Sequence, residues 1–266
     1  MKSLRVKPGS KVSLDDYDPG DTGHYRTAED VAEELRQHID ELDRLQNLLY
    51  AEGRRALLVV LQGMDASGKD GTIRHVMSGL NPQGVVVTPF KVPSDEERAH
   101  DYLWRVHKVT PRFGQIAIFN RSHYEDVLVV RVHDLVPKKV WKKRYKQINK
   151  FEHILTENNT VILKFFLQIS KEEQKQRLEE RLKDPKRHWK FSEKDLDERR
   201  FWDDYREAYE DALTECSTKR APWYIVPADH KWYRNLVVAE TIVEALRDLD
   251  LQYPEAAADL SKVIIE

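Results

Sequence analysis

The stretch that most limits what this chain can fold into is ALLVVLQGMDASGKDGTIRHV, residues 56–76. A continuous apolar run of the kind buried on both faces of a parallel sheet comes first. Gly63, Gly68 and Lys69 follow in the G-x-x-x-x-G-K spacing of a phosphate-holding loop, and a helical pattern follows the loop. In such a loop the glycines let backbone N–H groups close around phosphate oxygens, and the next helix presents its positive end. Strand, loop, lysine and helix agree, so the segment reads as a strand-to-helix unit that binds phosphate rather than a turn needing glycine for shape alone.

One letter departs from the pattern. Lys69 should be followed by Ser or Thr, whose hydroxyl would contact Mg²⁺, but the residue there is Asp70. Asp65 lies inside the loop, where it would repel phosphate unless a cation intervenes. Mg²⁺ takes one or two carboxylates plus phosphate oxygens, so Asp65 is the first choice to replace the missing hydroxyl. Asp70 is the alternative, or a helix-capping acid, and Thr72 is a further hydroxyl.

Apolar runs recur along the chain. VVVTPF (85–90), QIAIF (115–119), TVILKFFLQI (160–169) and WYIVPA (223–228) alternate with helical patterns, which predicts βαβ units and a five-stranded parallel sheet covered on both faces. A helix is expected from Thr27, with Asp30 in a capping-box position and an apolar face of Val31, Leu35, Ile39, Leu42, Leu45 and Leu49. Ser94 and Glu97 predict a cap for a helix through 100–109, and 138–156 reads as a basic helix. The charged stretch from 171 to about 216 reads as one long helical segment, and residues 1–26 as an irregular arm.

Composition narrows the ligand. Charged residues make up 34% of the 266, yet the formal net charge is −2, unlike a general nucleic-acid binder. Positive charge is concentrated in PKKVWKKRYKQINK, 137–150, with seven Lys or Arg and no acid. Its Trp141, Ile148 and Phe151 would pack inward; the lysines outside would form either a polyanion track or a solvated face. No apolar run reaches the roughly 20 residues of a membrane helix. The N-terminus has no apolar leader and Cys216 is the only cysteine, so a reducing, cytoplasmic setting is expected. His75, His100, His107, His123 and His133 lack the spacing of a metal-ligand set.

GMDASGKDG, FNRSHYEDV (119–127), RLEERLKDPKRHWKFSEKDLDERRFWDDY (177–205) and APWYIVPADHKWYRN (221–235) together resemble the polyphosphate kinase 2 family. The resemblance covers about residues 28–250. It implies a three-layer α/β P-loop kinase fold with an N-terminal helical extension and a helical lid. The implied boundaries are 1–52 for the arm and helix, 53–250 for the kinase domain with its lid at about 171–216, and 251–266 for a tail. It also implies Mg²⁺-assisted transfer (Mn²⁺ as the substitute) of a terminal phosphoryl group between inorganic polyphosphate and a nucleotide. Where many members resemble FDRSWYNR, this chain has Asn120, Glu125 and Asp126, a pattern similar to the class III subgroup, which accepts AMP and ADP. Adenine nucleotides are therefore the expected partners, with guanine nucleotides second, in a homodimer or homotetramer.

The resemblance carries over the following site. Asp65, Lys69, Arg121, Glu125, Asp126 and Arg181 are the catalytic candidates, with Asp65 and Glu125 as metal ligands. Gly63, Ala66, Ser67, Gly68, Lys69, Asp70, Gly71, Thr72, Asn120, Arg177 and Lys190 are the phosphate- and nucleotide-binding candidates. The acids of "YED" could also serve only to stabilise a helix end, and Arg177 and Arg181 could be in ion pairs with Glu173 and Glu180. The rival functions are an ATP-dependent nucleotide or metabolite kinase, a non-catalytic nucleotide or polyphosphate sensor and, weakest, a nucleic-acid binder.

Overall fold

The computed structural model describes residues 4–256 and 265. Five strands, β1 (Ala56–Gln62), β2 (Val85–Pro89), β3 (Ile116–Asn120), β4 (Thr160–Gln168) and β5 (Trp223–Pro227), form one sheet in the order β2-β3-β1-β4-β5. Every neighbouring pair is parallel. Because β1 lies between β3 and β4, the chain leaves it toward one edge and later returns to fill the other. The crevice at its carboxyl end is where such sheets hold ligands.

The helices are α1 (Ala28–Glu52), α2 (Lys69–Val76), α3 (Asp95–Arg98), α4 (Trp104–His107), α5 (Val129–Val132), α6 (Lys138–Glu157), α7 (Lys171–Lys183), α8 (Glu193–Glu198), α9 (Trp202–Cys216) and α10 (Lys231–Arg247). Successive strand residues point to opposite faces. Leu58 and Val60 of β1 therefore enter a core with Trp141, Ile148 and Phe151 of α6 and Ala212 and Leu213 of α9. Leu57, Val59 and Leu61 enter a second core with Leu42 and Leu49 of α1 and Val238 and Ile242 of α10. The three-layer expectation holds.

Several boundaries differ from expectation for local reasons. Asp30 closes the start of α1 as expected, accepting from the N–H groups of Arg26 and Thr27. The apolar face of α1 is consumed in the chain's own core. The arm is more ordered than its composition suggests: Val6, Val12 and Leu14 are buried, and Arg5 bridges Tyr224 antiparallel at the β5 edge. The helix expected over 100–109 is split. Ser94 and Glu97 form the predicted capping box, but it closes only the single turn of α3, and Asp101 accepts from the Leu103 N–H just before α4. The segment 171–216 is likewise three helices. Pro185 cannot continue α7, Asp184 caps the 3₁₀ turn Pro185–Lys190, and Ser192 caps α8. Of the expected tail, 257–264 and 266 lie outside the described residues.

Candidate active site

The loop between β1 and α2 is shaped by close approach. A side chain at Gly63 would meet Ser67 Oγ at 2.7 Å and the Leu167 carbonyl at 2.8 Å. Gly68 adopts φ +100°, and a β-carbon there would lie 1.9 Å from Arg234 Nη1. Ala66 (φ 62°) and Arg121 (φ 60°) hold the same sparsely populated left-handed backbone without being glycine. Strain of this kind persists where the surroundings over-determine the conformation.

Charges from separate elements meet at the mouth of the loop. Lys69, nearly buried at the first position of α2, curls back to donate to the Gly63 carbonyl at 2.7 Å. Burial and the nearby Arg121 lower its pKa to about 8. Arg121, just past β3, donates to Asp65 at 2.8 Å, and its other terminal nitrogen is 3.7 Å from Glu125. Burial pulls the Arg121 pKa down, but Glu125 and Asp65 outweigh that effect and hold it above the ordinary arginine value. Gln62, the last residue of β1, donates to Glu125 at 2.9 Å. Asp65 and Glu125 thus flank one guanidinium, and their all-oxygen donor set suits a hard divalent cation.

Helices α7 and α8 reach the same place. Arg181 of α7 pairs with Asp195 of α8 at 3.2 Å. The Asp195 carboxyl is raised above its usual range, first by burial and then by the charge of Asp65.

The remaining predicted residues lie behind the loop, within it, or turned away from it. Arg177, expected to face phosphate, is buried behind the loop. It donates to the carbonyls of Ala66, Ser67, Ala228 and Asp229 and to Glu173. Asp126 does not join Glu125 but turns the other way, onto Arg144 at 3.2 Å and Arg105 at 3.9 Å. Burial raises its carboxyl to about 6 against the pull of those arginines. Thr72 is fully buried, and its hydroxyl donates to the Gly68 carbonyl at 3.2 Å. Asp70 accepts from Asn120 at 2.7 Å, tying β3 to the first turn of α2. Ser67 is buried, its Oγ without a hydrogen-bond partner among the described residues, and Gly71 packs against Arg234. The Lys190 side chain lies outside the described residues.

Gln62, Asp195 and Arg234 were not identified from the sequence. A polar residue closing the apolar run of β1 was the one available signal, for Gln62. The basic helix α6 lies beside the site: Lys139, Lys143 and Arg144 line a cavity of about 910 Å³ together with Arg98, Arg105 and Asp126.

Comparison with known proteins follows the same lines. The family model for polyphosphate kinase 2 matches residues 25–254. An AMP/ADP-polyphosphate phosphotransferase of Meiothermus ruber is 54% identical over the whole of both chains. An ADP-polyphosphate phosphotransferase of Rhodopseudomonas palustris is 45% identical, over all of this chain and 96% of its own. The crystal structure of polyphosphate kinase 2 from Arthrobacter aurescens TC1 superposes with a TM-score of 0.93 at 46% identity, covering 97% of this chain and 92% of that one.

Proposed function

This chain belongs to the polyphosphate kinase 2 family, and on that premise we propose that it transfers the terminal phosphoryl group of inorganic polyphosphate to AMP and ADP, giving ADP and ATP. The observation that carries this reading is the meeting of Lys69, Asp65, Arg121 and Glu125 at the mouth of a phosphate loop. The transfer is a direct in-line displacement. A phosphate oxygen of the nucleotide attacks the terminal phosphorus, the bond to the bridging oxygen breaks, and a polyphosphate one unit shorter leaves with that oxygen. The reverse reaction uses the same groups.

Loop N–H groups and Lys69 hold the phosphates in line. Arg121 and Arg181 neutralise charge that builds on the transferred group, the main protein contribution to phosphoryl transfer. Closure of α7 and α8 brings Arg181 in and excludes water, which would otherwise take the phosphoryl group. Asp65 and Glu125 are the residues that would hold Mg²⁺, with Mn²⁺ as substitute, and the ion supplies charge neutralisation on the phosphate oxygens. Gln62 orients Glu125 from the strand end. The polyphosphate chain runs over the α6 cavity, where Lys139, Lys143 and Arg144 offer a line of cations. Among the described residues no helix is long and apolar enough to cross a membrane, and a cytoplasmic location is part of the proposal. α1 offers no free apolar face for an oligomer, so a dimer or tetramer would use other surfaces.

The test is direct. Purified protein with AMP, Mg²⁺ and polyphosphate, and no ATP, should form ADP and then ATP on a chromatographic assay. No nucleotide product would sink the proposal in favour of an ATP-dependent kinase or a sensor. Asp65→Asn should raise the Mg²⁺ needed for half-maximal rate by about tenfold, since it removes one of the two carboxylates.

A further inference from the structure

Behind the loop, on the face away from the mouth, two guanidinium groups are packed together. Arg234, in the first turn of α10, is 2% exposed. Its Nη1 donates to the Ser67 carbonyl at 3.3 Å, and its Nε and Nη2 donate to Asn235 Oδ1 at 3.2 and 2.9 Å. The second guanidinium is that of Arg177, which donates to the Ala66 and Ser67 carbonyls. A β-carbon on Gly68 would meet Arg234 Nη1 at 1.9 Å and Arg177 Nη1 at 3.6 Å, and one on Gly71 would meet Arg234 Nη2 at 3.3 Å. Both arginines are therefore pressed against the inner surface of the phosphate loop.

The charge balance there is uneven. Arg177 has one carboxylate partner, Glu173 at 2.7 Å. Arg234 has no ion pair among the described residues, and its acceptors are a neutral amide and a backbone carbonyl. A buried cation without a counter-ion is costly. Burial and the neighbouring Arg177 hold the Arg234 pKa down to about 9, still on the charged side of neutrality. Neutral side chains could brace the same carbonyls without this penalty, so bracing alone does not account for a charge at this point.

We propose that Arg234, backed by Arg177, is a positioning residue whose missing counter-charge is the substrate phosphate on the far side of the loop. The two guanidiniums polarise the loop peptides from behind, so their N–H groups point outward with added positive potential. This stored repulsion is relieved when a polyphosphate anion seats in the loop. Arg234 touches no substrate and acts through the Ala66–Gly71 backbone. The inference rests on the loop being the phosphate site, and the experiment separates the two.

The probe is inorganic tripolyphosphate, with affinity measured by calorimetry on the full chain. Arg234→Met should weaken tripolyphosphate binding about tenfold, as expected for one partly screened charge, and Arg234→Lys should recover most of it. In turnover the loss should appear in KM for polyphosphate more than in kcat or in KM for AMP. A merely structural Arg234 would instead lower the Tm of both variants while the fully folded fraction binds tripolyphosphate as tightly as the parent. That result overturns the proposal. Should Arg234→Met fail to fold, the parent protein serves: tripolyphosphate should slow exchange of the Arg234 Nε–H seen by NMR, and AMP alone should not. Unchanged exchange on saturation also overturns it. If the parent does not bind tripolyphosphate at all, the phosphate reading of the loop falls as well.

Discussion

The segment Asn120–Asp126 has charge on both sides, and the two sides follow opposite rules. Toward the loop, Arg121 and Glu125 stand at a solvent-reachable mouth and share partners loosely, with one contact at 2.8 Å and another at 3.7 Å. Toward the core, His123 and Tyr124 enter a sealed network. Lys164 donates to Glu152 at 2.6 Å, to Tyr124 at 2.8 Å and to the Cys216 carbonyl at 2.7 Å, while Tyr124 donates to Glu152 at 2.8 Å. Lys164 is fully buried and Glu152 1% exposed. Burial opposes the charge on Glu152, but Lys164 and His123 outweigh it and hold the carboxyl below its usual range. The sealed side fixes the turn with buried bonds centred on Glu152 and Lys164. On the proposed function, the open side keeps partners that a phosphate or a cation would replace. A short stretch of backbone can carry an exchangeable site when its other face is locked.

The largest expected effect tests the open side. Arg121→Ala should cost about 10³-fold or more in kcat, in the range seen when an arginine that neutralises a transferring phosphoryl is removed. Its Tm should stay close to the parent's, because the pair it breaks is partly exposed. A large fall in Tm with turnover retained would mean that the open side is as structural as the sealed one.

Lys164→Met reverses the pattern. Removing one partner of a buried pair leaves Glu152 with only His123 and Tyr124, at a cost of about 3–5 kcal/mol in unfolding free energy. Lys164→Met combined with Glu152→Leu should regain much of that stability in denaturant titrations, because the double change leaves no buried charge. If the single variant is as stable as the parent, the contrast between the two sides fails.

A smaller effect comes from pH. Lys69 has its pKa lowered to about 8 in the free protein, so above that pH the loop loses its buried cation. A bound phosphate favours the protonated amine, so binding takes up a proton there, and affinity must fall as pH rises through 8, by at most about tenfold per unit. Tripolyphosphate titrations in buffers of different ionisation enthalpy measure the uptake. Affinity independent of pH from 7 to 9.5 would contradict the assignment of Lys69.

How much of this was legible follows from how far apart the partners are in sequence. The β1 and β4 runs, the loop and the α6 pattern are local signals, and each element forms where its own residues dictate. Helical spacing placed Arg177 and Arg181 on one face but not what that face meets. Arg177 turned inward under the loop, and Arg181 found Asp195. Asp126 and Glu125 adjoin in sequence, yet on the 3₁₀ turn His123–Asp126 the two point to different partners. Gln62 reaches Glu125 across 63 residues of sequence and Arg234 reaches Ser67 across 167. No periodicity encodes such pairs; only the closed sheet brings them together.

The basic groove gives the smallest expected effect and extends the comparison outward, to charge that is exposed and unsealed. Lys139 and Lys143 are exposed on α6, where salt screens each contact, so any one cation adds little. A track acts through several cations at once, so Lys139→Glu with Lys143→Glu should raise KM for long polyphosphate several-fold and leave KM for tripolyphosphate nearly unchanged. The chain-length dependence is the decisive reading, because only a substrate long enough to leave the loop can feel charges along α6. The penalty should shrink with added salt, unlike that of Arg121→Ala, whose partners are close and partly buried. A rise in KM for AMP at constant KM for polyphosphate would reassign the cavity to the nucleotide, with Asp126 and Arg105 on its floor.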